Sequence, residues 1–136
     1  MLAIMTLTLA LAAGRPPDIA VNDEVRAVFE SLLEEGYSGM SDLEQGAFVI
    51  RMPTGHLAFF RWPSSGKKNR LQWAGALPPN AIAIVHTHPN SLPQPSYTDT
   101  LTSRRYGLPV YVITLHRITR VADGAVATVA RGWREP

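Results

Sequence analysis

The chain contains no cysteine. That absence removes disulfides, thiolate metal sites and cysteine nucleophiles together, so any metal must be held by His, Asp or Glu. Charge is also scarce: Asp, Glu, Lys and Arg make up 18% of the 136 residues and leave a net charge of +2. Such a balance does not build the basic face of a nucleic-acid binder. The one basic cluster, Lys67, Lys68 and Arg70, falls in a Ser/Gly-rich turn and reads as a solvated loop. Internal repeats are lacking as well. A hydrophobic content of 46% then describes a globular chain whose length suits one domain.

The first fourteen residues, MLAIMTLTLALAAG, are apolar, uncharged and too short to span a bilayer comfortably. They end in small residues with an Ala10-Leu11-Ala12 pattern, which reads as the apolar region and cleavage site of a signal peptide. The expectation is export to the periplasm or medium, with no stable membrane insertion after processing. No Lys or Arg precedes the run, so the alternative is a cytoplasmic protein with a buried N-terminal strand or helix. Arg15-Pro16-Pro17 breaks regular structure, dividing a signal or disordered segment, residues 1–17, from a single domain over residues 18–136.

Val25, Val28, Phe29, Leu32 and Leu33 recur at helical spacing and predict a helix from Asn22 to Glu35, capped by Asn22 or Asp23 and ended by Gly36. GAFVIRM and HLAFFRW flank Pro53-Thr54-Gly55 and predict a hairpin. LQWAGAL and AIAIVHTH, separated by Pro78-Pro79-Asn80, predict two more strands. A short helix from Ser96 to Tyr106 should stop at Gly107. PVYVITL reads as a buried strand, and RITRVA and AVATVARGW pair around Asp123-Gly124. Helix, strands, helix, strands is the order of an α+β domain on a mixed sheet.

AIAIVHTH carries two of the chain's four histidines. Strand side chains alternate faces, so His86 and His88 project from one side, about 6 to 7 Å apart along the backbone, and can converge on one ion. A histidine on an apolar strand is more often a satisfied core or surface residue than a ligand. Here Asp99 supplies a carboxylate, the third ligand that a hydrolytic zinc site needs when it leaves a position open for water. The loop between them is stiffened by Pro89, Pro93 and Pro95, which lowers the entropy lost in holding it. Ser96 and Asp99, three apart, also read as a capping box whose side chains satisfy backbone N–H groups, and the two readings can coexist.

The combined string is His-x-His-Pro, six residues, Ser, two residues, Asp. Five specified residues at fixed offsets arise by chance in a chain of this length on the order of once in ten thousand or less. The string resembles the JAMM motif of the JAB/MPN metalloproteases, matched by His86, His88, Pro89, Ser96 and Asp99 without a gap. By that resemblance His86, His88 and Asp99 hold one zinc ion per chain, and Ser96 lies beside the activated water and the developing oxyanion. The family also places a glutamate upstream, at the start of a strand and followed closely by Gly or Cys. LEQGAFVI fits, which makes Glu44 the general acid/base; Glu34 and Glu35 sit in the last turn of a helix. The implied fold is an MPN/JAB-like mixed sheet flanked by helices, layered as in the cytidine deaminases.

The resemblance implies a zinc-dependent peptidase or isopeptidase acting on a peptide or protein. The alternative is a non-catalytic MPN-like scaffold, which has no physical need for all five polar residues. Other His-x-His proteins fit worse: the chain lacks the further Glu and His of a cupin and is too short for an amidohydrolase barrel. His56 and His116 read as surface residues, and Trp62, Trp73 and Trp133 as packing on strands.

Overall fold

Residues 18–35, 44–63, 73, 75–88 and 94–134 are described in the computed structural model of the chain. The apolar start 1–14, the Arg15-Pro16-Pro17 break, Gly36, the Lys67/Lys68/Arg70 cluster, Pro89 and Pro93 lie outside them. A 3-10 turn, Ile19–Val21, comes first, and the Asp18 carboxylate accepts the Ala20 N–H at 2.9 Å. Helix α1, Asp23–Glu35, follows. Asn22 caps it, its side-chain oxygen accepting the N–H groups of Glu24 and Val25 at 2.9 and 3.2 Å, donors that an uncapped first turn leaves unsatisfied.

Strands β1, Gly46–Arg51, and β2, Leu57–Arg61, form the expected hairpin. Then come β3, Ala81–Thr87; helix α2, Tyr97–Tyr106; β4, Val110–Ile113; β5, Arg117–Ala122; and β6, Ala125–Arg131. Asp123 and Gly124 join the last two strands with φ of 51° and 75°, the pair of positive values that a two-residue hairpin turn requires. The six strands make one sheet in the order β2-β1-β3-β4-β5-β6. Every pair is antiparallel except β3 and β4. Parallel neighbours need a crossover, and α2 provides it, so α2 begins beside the carboxyl end of β3.

Alternation along the strands sorts the core onto two faces. Ala47, Val49, Ala83, Val85, Tyr111, Ile113 and Ile118 pack with Val25, Phe29, Leu32 and Leu33 of α1. Phe48, Ile84, Val110, Val112 and Val121 pack on the other side with Tyr106 and Leu108, at the end of α2. Burial on both faces explains why the central strands read as nearly continuous apolar runs. Around the first residues, the Tyr111 hydroxyl donates to Asp18 at 2.9 Å and Arg120 pairs with the same carboxylate.

LQWAGAL departs from expectation: Trp73 and residues 75–77, the described part of it, lie in no strand. Tertiary packing outweighs β-propensity at this point. The Trp73 ring packs edge-on against Phe48 and Phe60, and its Nε1–H donates to the Ala76 carbonyl at 3.1 Å. A Cβ on Gly75 would meet that ring at 3.0 Å, so the ring would have to shift by a few tenths of an ångström to admit one. Trp62 and Trp133 are buried packing residues, as expected, although none of the three tryptophans lies within a strand.

Candidate metal centre

Thr87 ends β3, and both its neighbours His86 and His88 turn toward the first turn of α2. Asp99 meets them there. His86 Nε2 lies 2.5 Å from Asp99 Oδ1, and His88 Nε2 lies 3.2 Å from Asp99 Oδ2. The three side chains are almost fully enclosed, with exposures of 7%, 8% and 5% in chain order. Gly46 stands opposite His86 on β1, so no side chain from that position crowds the ring.

Helix α2 fixes Asp99. Ser96 is the N-cap: its hydroxyl oxygen accepts the Asp99 N–H at 3.2 Å, while Asp99 Oδ2 accepts the Ser96 N–H at 2.6 Å, a complete capping box. The Ser96 hydroxyl also donates to Asp99 Oδ2 at 3.1 Å. Both sequence readings of the pair therefore hold at once, since the carboxylate that closes the cap also faces the histidines.

Electrostatics follow from the burial. Enclosure would raise the Asp99 carboxyl, but hydrogen bonds from His86 and His88 outweigh it and hold the group far below the usual carboxylate range. Burial opposes charge on His86, yet Asp99 and then Glu44 raise its pKa above 6.5. Glu44 precedes β1, and its Oε2 lies 3.6 Å from His86 Nδ1. That Nδ1 is buried and has no well-formed hydrogen bond among the described residues.

Glu44, His86, His88, Ser96 and Asp99 thus meet at one end of β3. The exposed His56 and His116 lie elsewhere on the surface. Thr87 was missed. Its hydroxyl accepts the Gln45 N–H at 2.9 Å and its own N–H donates to the Gln45 carbonyl at 2.8 Å, which registers the start of β1 against β3. The available signal was a hydroxyl between two inward-facing strand positions, since a buried polar group needs a partner.

The donor set suits a divalent cation. One ligand atom from each of His86, His88 and Asp99 lies within 4.8 Å of the others. Two imidazole nitrogens and a carboxylate oxygen are a ligand set zinc takes where cysteine is absent, and three protein ligands leave a fourth position open. Both Nε2 atoms face the carboxylate, so the residues present fit such an ion.

A mixed sheet with helices on its two faces and a His, His, Asp cluster at the end of a parallel strand is consistent with a domain of the JAB type carrying a candidate metal site. The profile of the prokaryotic homologs of the JAB domain matches residues 20–129, and the chain belongs to that family, which includes metalloisopeptidases. No curated protein and no solved structure matches it.

Proposed function

We propose that the chain is a zinc-dependent metallopeptidase or isopeptidase that hydrolyses an amide bond of a peptide or protein. The observation that supports this best is the convergence of His86, His88 and Asp99 with Glu44 beside them. When bound by such ligands, zinc supplies Lewis acidity and lowers the pKa of water from roughly 15.7 to about 7. The protein's own part is proton transfer and charge stabilisation. Glu44 accepts the proton of the attacking water on its carboxylate and hands it to the nitrogen of the departing amine. The Ser96 hydroxyl stabilises the developing oxyanion, a contribution worth about 3 to 4 kcal/mol for a well-placed donor. Its proton is directed at Asp99, so that contact requires rotation about the Cβ–Oγ bond. Ser96 is not a nucleophile, because activated water fills that role. The apolar first residues support export of the enzyme.

Purified protein should carry about one zinc per chain. Comparison of cleaved termini in a proteome exposed to wild type or to Glu44→Gln should reveal substrates cut by the first alone. Equal cleavage by the variant would refute Glu44 as the acid/base, and a wild type that neither binds zinc nor cuts anything would refute the enzyme reading.

A further inference from the structure

We infer that Glu44 has a second duty that rests on the metal reading of the site: its carboxylate takes the Nδ1–H of His86 and so turns Nε2 toward Asp99 as the metal-binding nitrogen. Glu44 is then a positioning residue for a ligand as well as a proton carrier.

The argument starts from an orphan. His86 Nδ1 is enclosed by protein and has no well-formed hydrogen bond among the described residues, a situation that buried ring nitrogens rarely tolerate. Its sister atom Nε2 is already committed, 2.5 Å from Asp99. A ring that ligates through Nε2 must carry its proton on Nδ1, and the group that receives that proton decides how the ring is turned. Glu44 Oε2 stands 3.6 Å away, a few tenths of an ångström beyond an ordinary bond. The backbone of Thr87 is the other acceptor near the ring. Glu44 has the stronger claim because it offers a side-chain carboxyl oxygen, is only 16% exposed, and is set in register by the two bonds between its neighbour Gln45 and Thr87. The two duties do not compete, since a carboxylate has two oxygens and roughly four lone-pair sites.

The two roles separate by measurement. If Glu44 only carried protons, both Glu44→Gln and Glu44→Ala would bind zinc as wild type does. If it also positions His86, the amide oxygen of Gln still accepts the Nδ1–H while Ala offers nothing. Zinc affinity, measured by competition with a chromogenic chelator, should then fall about 10- to 100-fold in Glu44→Ala and stay within about threefold of wild type in Glu44→Gln. Equal affinity in all three proteins would overturn the inference and leave the metal site standing. Failure of wild type to bind zinc would overturn both. Should the alanine variant not fold, nitrogen-15 NMR of the zinc-loaded forms decides. The His86 Nδ1 proton should exchange slowly with solvent and its resonance should move when Glu44 becomes Gln; an unmoved resonance would assign the ring to the Thr87 backbone instead.

Discussion

Asp99→Ala tests how far one side chain serves both the fold and the metal. The carboxylate is 5% exposed and faces two imidazoles, the Ser96 N–H and the Ser96 hydroxyl. Half a capping box contributes about 1 kcal/mol, and hydrogen bonds to a charged group about 1.5 to 3 kcal/mol each, partly offset because the variant no longer buries a carboxylate. The metal-free variant should therefore lose about 2 to 4 kcal/mol, a fall in Tm on the order of 10 °C for a chain of this size. Zinc at about a hundred times its Kd should add about 2.7 kcal/mol to wild type and nothing to the variant. The pH dependence carries a sign as well. His86 has a raised pKa in the folded chain, so its stabilisation is complete below 6.5 and declines as pH rises. Asp99 has a depressed one, so its stabilisation is complete above 3.8 and declines with added acid. Metal-free wild type should be less stable at about pH 8 than at about pH 6, because the loss sets in above 6.5, whereas zinc, which competes with the His86 proton, should stabilise more at the higher pH. Thermal unfolding followed by circular dichroism, with chelator or with zinc at both pH values, measures all of this. The reasoning fails if zinc stabilises Asp99→Ala as much as wild type, or if the variant keeps the wild-type pH dependence.

Three further expectations concern the rest of the chain. Phe29 is fully buried between α1 and the sheet, touching Tyr111 and Trp133, so Phe29→Ala should cost about 3 to 5 kcal/mol in urea unfolding; a loss under 1 kcal/mol would mean that this side of the core is loosely packed. The Tyr111 hydroxyl is pushed well above 10 by burial and by Asp18, so stability should decline as pH rises past 10, and Tyr111→Phe should lose that dependence in alkaline titrations followed by fluorescence. Sequencing the N-terminus of protein recovered from an exporting host should begin near residue 13, and an intact Met1 in a cytoplasmic fraction would reject export.

Much of the fold was legible because burial on both faces of the sheet left long apolar runs, and because Asp123-Gly124 and Gly107 mark their turns by backbone conformation alone. Asn22 and Ser96 were legible as caps for the same local reason. Trp73 was not, since its strand-like neighbourhood is overruled by rings on β1 and β2 that sequence order does not bring near. The cluster of His86, His88 and Asp99 could be read because fixed offsets carry it across one strand end and one helix start. The relation of Glu44 to His86 could not, because it depends on the pairing of Gln45 with Thr87, 42 residues apart.

The helix start at Ser96 has one consequence for what the site accepts. The third residue of a helix opened by serine is commonly glutamate, whose longer arm reaches back to the cap. Asp99→Glu would suit α2 at least as well, yet the added methylene would carry the charged oxygens past both imidazoles. The shorter acid at that place is what sets one carboxylate against Nε2 of both histidines, a placement that the helix alone would never have required.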